Sequence, residues 1–99
     1  MNLEKIYAYV PELRVLAEKY GILELFVTGS VARGESGPHS DIDFLVEMAR
    51  DASLFGVAGF IYEAEQLLGV SVDVIPLSLL LDDEDPSFAH NLRQDAIAL

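Results

Sequence analysis

Ninety-nine residues, 52 % of them hydrophobic, suffice for one domain spanning residues 1–99 and leave no room for two. The net charge is −11, and from Asp41 onward twelve acids face only Arg50 and Arg93. Such a surface repels phosphate backbones and speaks against tight binding of duplex nucleic acid. The lack of cysteine excludes disulfides and thiolate metal sites.

No apolar run approaches the ~18 residues that span a membrane. The start, MNLEKIYAYV, carries acid early and is no signal peptide, so the expectation is a soluble cytoplasmic protein. The apolar fraction is high for so small a chain. A full core and an interface, with another copy or with a partner, explain it equally well.

Leu3, Ile6, Tyr7 and Val10 fall at helical spacing, as do Leu13, Leu16, Ala17 and Tyr20. Pro11 separates the sets, which predicts two short helices or one kinked helix with Pro11 in the first turn of the second part. Gly21 is placed to end it. Residues 22–28, ILELFVT, read as a strand running into a Gly29-Ser30 turn, with a short helix after Ser30. ESGPHS, 35–40, reads as a loop in which Ser40 caps or closes the approach to Asp41. DIDFLVEM, 41–48, reads as the second strand.

Ser53 predicts a capped helix to Leu68, with Leu54, Val57, Ala58, Ile61 and Leu68 inward and Gly56 and Gly59 weakening it. Gly69 ends it, and Val70–Ile75 reads as a third strand. DDED at 82–85 reads as a solvated loop and 86–96 as a last short helix. Tyr7, Tyr9, Tyr20 and Tyr62 read as core or interface aromatics, and His39 and His90 as surface residues.

A helix between the second and third strands makes a crossover, which favours parallel pairing. The first two strands are joined by a loop with a short helix and suit antiparallel pairing. The expected fold is α/β (α+β): a small mixed β-sheet of three or four strands with helices packed mainly on one face.

Side chains alternate along a strand, so Asp41 and Asp43 share a face while Ile42 and Phe44 enter the core. Asp73, between Val72 and Val74, is able to join them from the neighbouring strand. Two carboxylates ~4 Å apart repel by about 4 kcal/mol at an effective dielectric of 20. Neither strand carries a Lys or Arg to offset this. A divalent cation with hard oxygen ligands does so, and Mg²⁺ fits because it takes few carboxylates and fills its shell with water and phosphate.

Gly29 allows close approach of a phosphate, Ser30 offers a hydroxyl, and Arg33 reaches either a phosphate oxygen or, as a salt bridge, Glu35 or a neighbour. The segment is no Walker loop, since Glu35 and Ser36 replace the required Lys-Ser/Thr. Ten residues separate the Gly-Ser turn from Asp41. A phosphate-holding turn beside three acids is a minimal kit for moving a nucleotide.

GSVARG, the spacing to SDIDFLV, and the later VDVIP resemble the nucleotidyltransferase superfamily that includes DNA polymerase beta, over about Leu23 to Pro76. The chain is similar to its minimal members. The resemblance implies that Asp41, Asp43 and Asp73 are the catalytic, metal-binding acids for two Mg²⁺ ions. It also implies that Gly29, Ser30 and Arg33 hold the nucleotide phosphates.

The implied reaction moves a nucleoside monophosphate, AMP from ATP, to an acceptor hydroxyl. Minimal members are commonly paired with a small helical HEPN ribonuclease toxin, which they neutralise as antitoxins by AMPylation and by binding. The competing expectations are a module that masks its partner by contact alone, and an enzyme acting on a small molecule such as an aminoglycoside.

Overall fold

The computed structural model describes residues 1–35, 37, 41–81 and 94–99. Ser40, His39, His90, the acidic run 82–85 and most of the segment 86–96 lie outside the described residues. Two helices open the chain, α1 (Leu3–Ala8) and α2 (Val10–Lys19), with Pro11 in the first turn of α2. Proline belongs there because the first helical N–H groups have no intrahelical acceptor. Asn2 caps α1 by accepting from Lys5 N at 2.9 Å.

Then follow β1 (Ile22–Thr28), a single turn of helix α3 (Gly29–Ala32), β2 (Ile42–Met48), α4 (Leu54–Leu68), β3 (Val72–Pro76), α5 (Leu77–Leu81) and β4 (Ile97–Ala98). Among the described residues the strands form one sheet in the order β3-β2-β1-β4. β1 pairs antiparallel with β2 and β4, and β2 pairs parallel with β3. This is the mixed sheet expected from the crossover.

One face of the sheet carries Leu25 and Val27 of β1, Ile42, Phe44 and Val46 of β2, and Val72 of β3, all buried. Ile6, Leu13 and Ala17 from α1 and α2, and Phe60, Ala64 and Leu68 from α4, pack over them. Phe44 and Phe60 meet edge to face, with centroids 5.9 Å apart, a geometry worth about 0.5–1.5 kcal/mol beyond area burial. The opposite face is thinner. There Leu45 is covered by Phe26, Ile75, Leu77 and Ala96. Helices therefore sit mainly on one face, and the other keeps room for the acids.

Several local expectations change. The inward face of α4 is Phe60, Ala64 and Leu68, whereas Leu54 is 72 % exposed and Ala58 is exposed. α3 begins at Gly29, before Ser30, and β3 begins at Val72. Leu77–Leu81 is helical, and a two-residue strand follows Ala96. Tyr7 and Tyr62 are largely exposed, while Tyr9 and Tyr20 are half-buried.

The α4 shift has a packing cause. A Cβ on Gly56 would stand 2.7 Å from the Tyr20 carbonyl oxygen, and one on Gly59 would strike the Tyr20 ring. The two glycines let the end of α2 lie against α4, so residues without side chains mark the contact face. The Tyr20 hydroxyl donates to Glu63, and Lys19 Nζ bridges the same carboxylate at 3.0 Å.

Gly56→Ala should therefore lower stability. Overpacking costs about 1–3 kcal/mol, against a helix-propensity gain of at most about 1 kcal/mol. A urea midpoint at or above that of the wild type would contradict this close packing.

At the start of α4, Ser53 Oγ accepts from Phe55 N at 3.1 Å. Ser53→Ala should cost about 1 kcal/mol in the same measurement. A loss under about 0.3 kcal/mol would show that water replaces the cap.

Candidate active site

The strand register places the site. Thr28 of β1 lies opposite Asp43 of β2, and Asp43 lies beside Asp73 of β3. All three fall in the phase of Leu45 and Phe26, on the thinner face. Asp41 precedes β2 in the same phase and is exposed, as is Asp73. Asp43 is half-buried between them, and Thr28 is fully buried. The sequence expectation that the three acids share one sheet face agrees with this register.

Asp43 carries the electrostatic tension. Burial pushes its carboxyl above the usual aspartate range, and the neighbouring charges of Asp73 and Asp41 push it further. Asp73 is also within hydrogen-bonding reach of it, and Arg33 pulls in the opposite direction. This crowding of oxygen donors is what a hard cation relieves. Among the described residues no group of three acids or histidines closes on one point as a finished cation cage. A pair of carboxylates completed by water and phosphate oxygens matches the coordination habit of Mg²⁺, so the donor chemistry fits that ion.

Gly29 takes a left-handed φ of +72°. A Cβ there would overlap Asp43 Oδ2 and stand 3.2 Å from its Cγ. The Gly-Ser turn and the acids are thus in direct contact: the missing side chain of Gly29 is the space the Asp43 carboxylate fills. Val31 anchors α3 in the core, which aims Ser30 and Arg33 away from it. Ser30 is half-buried, and its carbonyl accepts from Glu35 N at 2.9 Å.

Arg33 closes α3 and is held by two carboxylates. Nε donates to Glu35 at 3.0 Å and Nη1 to Asp95 at 3.0 Å. Of the two sequence alternatives for Arg33, the structure shows the pairing with Glu35 and a neighbour, Asp95; the guanidinium charge also acts electrostatically on Asp43. Asp95 and Thr28 are site neighbours that sequence reading passed over. Thr28 was detectable, because it is in phase with Phe26 and ends its strand at the turn. Asp95 carried no local signal.

Beside Asp41 an open cavity of about 590 Å³ is lined by Asp41, Glu65, Gln66, Gly69, Val70 and Ser71. Its walls are polar, and Glu65 is partly engaged by Val72 N at 2.9 Å. A second cavity, of about 680 Å³, lies at the far ends of β2 and β3, by Met48 and Pro76. It is remote from the acids.

Comparison with known proteins shows the family and the fold. The family model described as nucleotidyltransferase domain matches residues 13–98. Protein adenylyltransferase MntA of Thermococcus cleftensis is 38 % identical over 73 residues, covering 74 % of this chain and 71 % of that protein. A Methanocaldococcus jannaschii protein provisionally named a protein adenylyltransferase is 42 % identical over 57 residues, 58 % of this chain. That match spans 61 % of the relative's own length.

A solved structure provisionally described as a minimal nucleotidyltransferase superposes with a TM-score of 0.82 at 32 % identity. It covers all of this chain and 97 % of that one. A crystal structure of a toxin-antitoxin with AMP-PNP has the same fold, with a TM-score of 0.69 at 16 % identity. It covers 89 % of this chain and 69 % of that one.

Proposed function

We propose that this chain, which belongs to the nucleotidyltransferase domain family, moves AMP from ATP to a hydroxyl on a partner protein, and thereby acts as the antitoxin of a HEPN-type ribonuclease toxin. The observation that carries the reading is the close approach of Gly29 to Asp43, which sets the Gly29-Ser30 turn against a carboxylate of the site. The names of the relatives support protein as the acceptor and a toxin as the partner.

Asp41, Asp43 and Asp73 would hold Mg²⁺, which when bound neutralises the phosphates and favours the ionised acceptor hydroxyl. Gly29 and Ser30 receive the β- and γ-phosphates, and Arg33 faces them with its guanidinium. The acceptor oxygen attacks the α-phosphorus, the bond from that phosphorus to the bridging oxygen breaks, and pyrophosphate leaves. Asp73, exposed at the sheet face, takes up the hydroxyl proton. The open polar groove beside Asp41 gives an incoming side chain room to approach. A cytoplasmic setting goes with this reading, and among the described residues no helix is long and apolar enough to cross a membrane.

The test is incubation of the protein with labelled ATP, Mg²⁺ and the product of the adjacent reading frame. A mass increase of one AMP on that partner is the expected result. No label on any candidate partner with any triphosphate would reject the proposal.

A second reading is favoured by the exposure of Leu54 and Phe55 at the start of α4, 72 % and 87 %. On that reading, apolar contact masks the partner without chemistry. The variant with Asp41→Asn and Asp43→Asn together separates them. Full protection by that variant would favour masking, and retained binding without protection would favour transfer.

A further inference from the structure

Arg33 is held from two directions by unequal anchors. Glu35 is two residues away on the same turn, and its side chain is 64 % exposed. Asp95 comes from 62 residues further on, and its side chain is 30 % exposed. Asp95 is tied down by β4, whose Ile97 and Ala98 pair with Val27 and Phe26 of β1. Leu99 N donates to the Leu25 carbonyl at 2.9 Å, and Arg14 Nε donates to the Leu99 carbonyl at 2.9 Å. β1 is also the strand that runs directly into the Gly29-Ser30 turn. The chain after Asp95 and the chain before Arg33 are therefore fixed to the same strand.

We infer that Asp95 is a positioning residue, which holds the Arg33 guanidinium at the end of α3 so that its remaining N–H donors meet the triphosphate. This deepens the proposed function and rests on it. A free arginine side chain carries about 2 kcal/mol of rotamer entropy, which a phosphate must otherwise overcome on binding. The two observed contacts use two of the five guanidinium N–H donors and fix its plane. A fixed plane presents its fork to phosphate oxygens in one orientation. Glu35 cannot supply this alone, because it moves with the same turn as Arg33.

The experiment measures ATP and AMP affinity in Mg²⁺ by calorimetry for wild type, Asp95→Ala, Asp95→Glu, Arg33→Ala, and the Arg33→Ala/Asp95→Ala pair. Asp95→Ala should weaken ATP about five- to tenfold and AMP less than twofold, because AMP has no β- or γ-phosphate. Asp95→Glu should recover most of the loss. In the Arg33→Ala background, Asp95→Ala should add nothing, since it acts through that arginine.

Equal weakening of ATP and AMP, or the same loss with Arg33 already removed, would mean a merely structural role and overturn the inference. Unchanged or tighter ATP binding in Asp95→Ala would do so as well, the latter marking Asp95 as a competitor of phosphate. Absence of any nucleotide uptake by the wild type would instead reject the proposed function, and the inference with it.

Discussion

Gly29→Ala should reduce transfer by about a hundredfold or more while leaving the protein folded. The new methyl group overlaps the Asp43 carboxylate, and the backbone there has φ +72°. Two costs compete for the outcome. Holding an alanine in the left-handed region costs about 1–2 kcal/mol. A domain of this size can absorb that from a stability of about 5–15 kcal/mol.

The collision itself is relieved by the mobile party. Val31 fixes α3 in the core, so the Asp43 side chain turns away more cheaply than the turn moves. On the proposed function, the damage therefore falls on the spacing between the acids and the bound phosphates. A displacement of about 1 Å at a reacting centre costs on the order of 100-fold. Transfer assays paired with urea unfolding check both halves. Activity within threefold of the wild type would show that the carboxylate does not need its present position. Loss of the cooperative unfolding transition would show that the acid, and not the turn, is the rigid partner.

How much of this was legible beforehand follows from the range of each interaction. Alternation along DIDFLV and VDVIP is local, and it put Asp41, Asp43 and Asp73 on one face. The helix between those strands required a crossover, and the parallel register of Asp43 with Asp73 followed. Ser53 and Gly69 bounded α4 within a residue, because caps act on their own turn.

The failures have equally physical causes. Helical periodicity locates side chains, but the α4 contact with Tyr20 is made by Gly56 and Gly59, which have none. The apolar stripe at Leu54, Val57, Ala58 and Ile61 is periodic but sits off the core-facing line. β4 is two residues long, too short to show alternation. Asp95 meets Arg33 only after β4 has docked on β1, so nothing near either residue announces the pair.

Removing the charge of Asp43 should separate stability from function more sharply than any other change. Asp43→Asn is expected to abolish transfer, a loss of about a thousandfold if the missing charge is worth about 4 kcal/mol in the transition state. Without Mg²⁺, the same variant should be more stable than the wild type at pH 7, by on the order of 1 kcal/mol once solvent screening is allowed for.

The sign follows from proton linkage. Burial first, then Asp73 and Asp41, hold the folded pKa of Asp43 above its unfolded value of 3.8. Between those two values the folded state binds more protons, so wild-type stability falls as pH rises through that window. Below pH 3.8 the penalty from this group is gone, and the advantage of the asparagine should vanish.

Mg²⁺ reverses the ranking if the carboxylates are its ligands: it should raise the wild-type melting temperature and leave Asp43→Asn nearly unmoved. Thermal scans at pH 3.5 and 7, with and without Mg²⁺, give all four values. A variant less stable than the wild type at pH 7 without metal would mean that Asp43 is a structural acid. Equal stabilisation of both proteins by Mg²⁺ would place the cation elsewhere on this acidic surface.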